Sequence, residues 1–422
     1  MSTSTPLPSA SSAARGRARA AFARTFQSLA IYNFRLFFVG QLISNTGNQL
    51  TNVALILFVL RLEHSGLAVG ALAACQLGPL VALSAWAGAL ADRTDKRKAL
   101  LVTQSLEMAQ SAALAVLAFR PHPSPVVLYA LALAGGVLLA VDNPLRRSFV
   151  PEMVPKADLP NAVVLYSMIV ALSQVSGPAL AGALVTIVGF GWCFALDAVT
   201  YLAVIACLIM MRARQLFGRP PRARTGREVR EGLAYVASMP RLWISFAMFA
   251  GVGLFSFNLR VALPLLVTRS LHGTEVTFAV LYAVMSAGAV VGTLVVAHRR
   301  LVGLRHVVVG ALTLGCAMLL LSVMPSVHAA LVAAFFVGAA SIVYMTASTT
   351  IAQVDTRGDM HGRVLALQTA LLGGTALVGG PMVGQIADRA GGRAPIALGG
   401  VVCLLAAGLG ELGRRRFAPR AP

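Results

Sequence analysis

Read for polarity alone, the chain alternates between long apolar runs and short polar turns. Six runs come first: Phe34 to Leu60, Leu67 to Leu90, Ala99 to Ala118, Val126 to Val141, Ala162 to Phe190 and Gly191 to Met211. After a polar connector come six more: Leu242 to Val267, Val276 to Ala297, His306 to Met324, Ala329 to Thr349, Val364 to Ile386 and Pro395 to Leu412. A helix rises about 1.5 Å per residue, so runs of this length can each cross the roughly 30 Å hydrocarbon core of a bilayer. The pattern therefore predicts an all-α membrane protein with twelve transmembrane helices.

Composition agrees. Of the 422 residues 57% are hydrophobic and 12% charged, about half the charge share of a soluble domain. The net charge of +20 does not point to nucleic acid, because the arginines are not gathered into one patch or interleaved with aromatics. They fall between the apolar runs, and unevenly. One set of turns holds Arg93, Lys96, Arg97 and Lys98; Arg146, Arg147 and Lys156; Arg212 through Arg241; Arg299, Arg300 and Arg305; and Arg357 and Arg363. The alternate turns hold only Arg61, Arg120, Arg269, Arg389 and Arg393. The tails, with Arg15, Arg17, Arg19 and Arg24 at one end and Arg414, Arg415, Arg416 and Arg420 at the other, side with the basic set. The positive-inside rule then puts both termini in the cytoplasm and requires an even number of crossings.

The expected organisation follows. Residues 1–30 form a disordered cytoplasmic tail, rich in Ser, Ala, Pro and Arg and free of acid; an organelle transit peptide is the competing reading of that stretch. Residues 31–212 form a first six-helix bundle and 241–413 a second. Residues 213–240 are a cytoplasmic linker, with an amphipathic helix over Arg227 to Ser238 on the inner leaflet, and 414–422 a basic tail. Gly177-Pro178 and Gly380-Pro381 occupy like places in the two halves, and 380 less 177 gives 203. The same offset carries Lys96-Arg97 onto Arg299-Arg300, which suggests a duplicated unit. Cys75, Cys193, Cys207, Cys316 and Cys403 lie in apolar runs without metal-ligand spacing, so they read as buried small hydrophobes and no cofactor or metal is expected. No G-x-x-x-x-G-K-[ST] loop is present, which disfavours an ATP-driven pump in one chain. No nucleophile–base spacing speaks for an enzyme.

The turn after the second run reads Gly88-Ala89-Leu90-Ala91-Asp92-Arg93-Thr94-Asp95-Lys96-Arg97-Lys98. It resembles the loop between helices 2 and 3 of the major facilitator superfamily, roughly G-x-L-A-D-R-x-G-R-K. Gly88, Leu90, Ala91, Asp92, Arg93, Arg97 and Lys98 fit, and Asp95 stands where the family usually has glycine. Asp142-x-Pro144-x-Arg146, Val150-Pro151-Glu152-Met153-Val154-Pro155 and Gly362-Arg363-Val364 resemble the drug and siderophore exporter branch, which is enterobactin-exporter-like and macrolide-efflux-like. Gly177-Pro178, with Gly182, resembles part of an antiporter motif, G-P-x-x-G-G. The resemblance runs from about Asn33 to Leu412. It implies two pseudo-symmetric bundles rocking about a central cavity. It also implies a cytoplasmic gate built from Gly88, Asp92, Arg93, Arg97, Asp142 and Arg146, with Asp142 and Arg146 engaging Arg93 and Asp92.

Polar groups inside the runs are costly there and tend to mark pathways. Glu107 and Asp197 are the proton-coupling candidates, since a carboxyl isolated in low dielectric can load and release a proton; a structural acid bonded to a neighbouring helix is the equal alternative. Related exporters often carry an acid after Ser-x-x-Gly in the first span, but here Ser44-Asn45-Thr46-Gly47 is followed by Asn48. Asn45, Gln49, Asn258, Arg260 and Gln368 are the substrate-cavity candidates. Arg260, inside the seventh run, would face a carboxylate, an anionic ligand or water, or snorkel to the interface. Gly177, Pro178, Gly380 and Pro381 are expected to kink and closely pack their helices. The expected function is proton-coupled efflux of a small amphiphilic organic molecule, by a monomer in a bacterial inner membrane whose partners are that cargo, protons and lipid. Uptake symport and a non-transporting sensor or scaffold are the alternatives.

Overall fold

A computed structural model describes residues 26–217, 228–298, 303–357 and 360–416. The expected tail up to residue 25, the start of the linker and Arg299-Arg300 lie outside these residues, as does the side chain of Asp92. In the first half α1 is Tyr32–Glu63, α2 Gly66–Arg93, α3 Lys96–Ala118, α4 Pro125–Met153, α5 Leu159–Ile187 and α6 Phe190–Met210. The linker helix α7 is Glu228–Ser238. In the second half α8 is Pro240–Ser256, α9 Leu259–Arg269, α10 Glu275–His298, α11 Leu304–Val323, α12 Val327–Val354, α13 His361–Ala390 and α14 Ala394–Arg416.

Local chemistry sets many of these boundaries. Ser65, Asp95 and Ser326 each cap a helix by accepting a hydrogen bond from a backbone N–H three residues on. Proline sits in the first turn of α4, α5 and α8, where its missing N–H costs nothing. Asp95, the residue that departs from the family pattern, is thus the N-cap of α3, accepting from Lys98 N at 3.1 Å. Gly391, at φ +87°, ends α13 in a conformation that only glycine adopts freely.

Among the described residues, eleven segments are long and apolar enough to cross a membrane, with α8 and α9 counted together as Pro240–Arg269. The first helix, α1, is as long as any but carries six amides, Asn33, Gln41, Asn45, Asn48, Gln49 and Asn52. It packs between α5 and α6, so its polar groups meet protein rather than lipid. Two spans depart from expectation. The fourth continues to Met153 instead of ending near Val141, because Asp142 and Arg146 neutralise each other one turn apart and need no exit to water. The seventh is broken at Phe257 and Asn258. The last residues of the expected tail are also ordered: Gln27 Nε2 donates to Asp158 at 3.0 Å and Ser28 N to Asn161 at 3.1 Å.

In the first bundle α1 packs on α5 and α6, α2 on α4, and α3 on α4 and α6; in the second, α8 and α11 pack on α14, and α10 on α12. The bundles meet along two seams, α2 with α13 and α5 with α10, and these are equivalent under the internal repeat. On α7, Val236 is buried with Leu242, Phe246, Ala352 and Val364, and Glu231 pairs with Arg363 at 2.9 Å. The linker helix therefore leans on the second bundle, while Leu233 stays exposed.

Candidate functional site

Among the described residues, four acidic or basic side chains are buried inside the first bundle: Asp142 is 1% exposed, Arg146 7%, Glu107 4% and Asp197 0%. Among the described residues, no charged side chain of the second bundle is buried. Three of the four meet. Arg146 on α4 forms an ion pair with Asp142 one turn back and reaches Glu107 on α3 at 3.3 Å. Its other guanidinium nitrogen donates to Gln41 Oε1 at 2.8 Å and Asn45 Oδ1 at 3.3 Å, both on α1. Gln104 donates to Glu107 and to Asp142, each at 2.9 Å, and Thr103 donates to Asp142 at 2.8 Å.

The local fold explains the convergence. On α3, Gln104, Glu107 and Ser111 follow the spacing of one helix face, and that face packs against α4 and α6. Desolvating a guanidinium and two carboxylates costs several kcal/mol per ion, roughly, and is tolerated only when they are paired and hydrogen-bonded. Here two acids share one base, so with all three ionised the cluster keeps one uncompensated negative charge.

Asp197 forms a second station on α6. It accepts from Ser111 Oγ at 2.8 Å and from Thr200 Oγ1 at 3.4 Å. Gly47 of α1 lies against it; a Cβ there would stand 2.6 Å from Asp197 Oδ1. Ser111 is one turn from Glu107 on α3, so that face touches both acids. Asn48, where related exporters often carry an acid, donates to Tyr201 OH at 3.2 Å.

The remaining candidates are scattered. Asn45 belongs to the charged cluster, donating to Gln41 O at 2.8 Å. Gln49 and Arg260 line a small cavity between the bundles with Asn52, Phe278 and Tyr282, and Arg260 Nε donates to Tyr282 OH at 2.9 Å. Asn258 turns its amide back onto α8, donating to Leu254 O at 2.9 Å. Gln368 donates to Ser348 and Thr349 of α12 at 3.4 and 3.3 Å. Gly88 lies within α2, Arg93 is exposed at its end, and Arg97 donates to the last carbonyls of α6, Leu208 O at 2.7 Å and Ile209 O at 2.8 Å. Lys96 pairs with Glu152 at 2.6 Å. Asp142 and Arg146 thus face Glu107 rather than Arg93, and Glu107 is not isolated. Gly177 lies against Gln49 and Leu50, and Gly380 against Gly70; Pro178 and Pro381 sit inside unbroken helices. Of the five cysteines, Cys193 and Cys403 are buried but Cys316 is exposed on α11.

Sequence reasoning passed over Gln41, Thr103, Gln104 and Ser111. The signal available was the 104–107–111 spacing, a polar stripe on a helix that is otherwise apolar inside.

Solved structures share this architecture. A bacterial homologue of the human lysosomal transporter Spinster, in an inward-facing and unoccupied conformation, superposes with TM-score 0.70 at 16% identity, over 92% of this chain and 97% of that one. A POT peptide transporter in complex with sulfate superposes with TM-score 0.74 at 13% identity, over 91% and 94%. The fold is that of a major facilitator transporter, a multi-pass membrane protein. A family model described as transmembrane secretion effector matches residues 23–416, and the chain belongs to that family. It is 27% identical to the enterobactin exporter EntS of Salmonella typhi over 405 residues, 92% of this chain and 94% of that protein. It is also 27% identical to the staphyloferrin A transporter of Staphylococcus aureus over 264 residues, 62% of this chain and 66% of that protein.

Proposed function

We propose that the protein exports a small amphiphilic organic molecule, a siderophore or drug, across a bacterial inner membrane, with both termini cytoplasmic and proton entry as the driving force. The observation that carries this reading is the charged cluster of the first bundle. Two acids share one buried base, so taking up one proton brings the cluster to neutrality and releasing it restores an unbalanced charge. A chemical change of that kind can bias a rocking equilibrium between bundles. Glu107, at 3.3 Å from Arg146 against the direct pairing of Asp142, is the looser partner and the proposed proton carrier. Asp197, reached through the same face of α3, is the alternative candidate.

In this reading the cargo occupies the midline between the bundles, where Gln49 and Arg260 already stand, with Asn45, Asn258 and Gln368 as further polar contacts. The gate at the terminal face uses Gly88, Asp92, Arg93 and Arg97 with Asp142 and Arg146; their engagement belongs to the opposite conformation from the one described here. Gly177, Pro178, Gly380 and Pro381 let the helices beside the midline pack closely. The siderophore names of the relatives support the cargo class, and the protein acts as a monomer.

The test is flux in proteoliposomes under an imposed pH gradient, screened over siderophores, macrolides and dyes. Cargo movement coupled to proton movement in the opposite sense supports the reading. Co-directional movement selects uptake symport, and no gradient-dependent flux of any cargo leaves a sensor or scaffold.

A further inference from the structure

At the face opposite the termini one carboxylate ties the two bundles together. Asp388, on the last turn of α13, accepts from Gly66 N at 2.7 Å, Leu67 N at 2.9 Å and Ser65 Oγ at 3.0 Å. These are the first groups of α2, in the other bundle. Asp388 also pairs with Arg269 at the end of α9, at 2.6 Å. Arg269 in turn donates to Ala387 O at 2.9 Å within its own bundle and to His64 O at 3.1 Å across the seam. One acid of the second bundle thus caps a helix N-terminus of the first, where the backbone dipole favours negative charge, and a neighbouring arginine clamps both sides.

The helices beneath are cut to fit. Gly66 and Gly70 on α2 face Gly384 and Gly380 on α13, one turn apart on each. A Cβ at Gly66 would stand 2.5 Å from Gly384 O, and one at Gly70 would stand 2.6 Å from the α-carbon of Pro381. Small residues four apart let backbones approach closely. The contacts continue toward the midline at Gly78 with Leu377 and Val81 with Gly373. The equivalent seam, α5 with α10, has no such pair at its crossing: Gly182 lies against Ala279 and Val276.

We infer that Asp388 is the positioning residue of the far gate: its contacts with α2, with Arg269 held beside it and bonded across to His64 O, keep that face shut, and these cross-seam bonds part whenever it opens. The inference rests on the rocking-transporter reading above. Buried apolar contact along a glycine seam reforms readily, but the three hydrogen bonds from Ser65, Gly66 and Leu67 to one carboxylate exist only when the two helix ends are in register. The carboxylate therefore sets the balance between closed and open forms rather than the fold of either bundle.

The experiment places cysteines at Arg120, on the turn after α3, and at His328, in the first turn of α12, exposed positions at the far face of the two bundles, in a chain whose five native cysteines are replaced. Spin labels there report the inter-bundle distance in detergent or nanodiscs, without cargo or gradient. Asp388→Asn keeps the shape but loses the charge and is expected to raise the open-to-closed ratio by about tenfold, the scale of charged hydrogen bonds. Ser65→Ala removes one donor of four and is expected to raise it about twofold. A thermal melt accompanies each. Unchanged distances with either an unchanged or a lowered melting temperature overturn the inference, the latter reducing Asp388 to an ordinary structural cap. Because no transport is measured, failure of the gate and failure of the exporter reading are told apart: the first appears in the distances, the second in the flux.

Discussion

Inside the first bundle, where α1 meets α4, Gln41 and Asn45 accept from Arg146, and Arg146 holds Asp142 and Glu107. At the matching place in the second, where α8 meets α12, Ser245 touches Ser348 at 3.4 Å and Gln368 donates to Ser348 and Thr349. The repeat offset of 203 carries Arg146 onto Thr349. One scaffold, used twice, thus holds ions in one copy and only hydroxyls and an amide in the other. An ion trio in low dielectric has a protonation state to change, whereas hydroxyls have none. Under the proposed proton-coupled mechanism the first bundle is therefore the one to carry the coupling, and the second would pack, move and contact cargo through Arg260.

The largest expected effect that would break this contrast comes from Arg146→Ala. It leaves Glu107 and Asp142 buried without a counter-charge, at a cost of roughly 3–5 kcal/mol, and should show in both thermal stability and flux. Next, Glu107→Gln should leave the fold and cargo counterflow intact while lowering gradient-driven flux by about 100-fold, the scale of a lost proton-transfer group. Flux that still follows the pH gradient in that variant sinks the assignment. Asp197→Asn keeps an acceptor for Ser111 and Thr200 and should lower flux about threefold, the scale of one hydrogen bond; a loss equal to that of the Glu107 variant would move the coupling site to α6. Gln368→Ala, in the uncharged counterpart, should cost under about 1 kcal/mol and change flux less than twofold.

Much of the fold was legible in the chain. Hydropathy marked every span, and the placement of Gly177-Pro178 and Gly380-Pro381 suggested the duplication. The first helix was marked too, although its six amides leave it outside the segments apolar enough to qualify as candidate spans. The site was legible only by residue. Glu107, Asp142, Arg146 and Asp197 stand out because charge inside an apolar run is costly. Their partners do not: Gln41, Thr103, Gln104 and Ser111 are ordinary polar residues until a neighbouring helix brings them within 3 Å or so of a carboxylate or guanidinium.

One expectation changed. The fourth span was expected to stop where Asp142 began, yet it runs to Met153, since ions paired one turn apart do not end a helix. For Glu107 two readings stood open, an isolated acid and an acid bonded to a neighbouring helix, and it faces Arg146 from another helix. Hydropathy patterning acts over neighbouring residues, so the amino-acid order by itself determined where the helices run and pointed to their repeat. Which charges meet, and that Asp388 of one bundle caps α2 of the other across 322 positions of chain, depends on contacts between distant helices, and only the tertiary packing decided those.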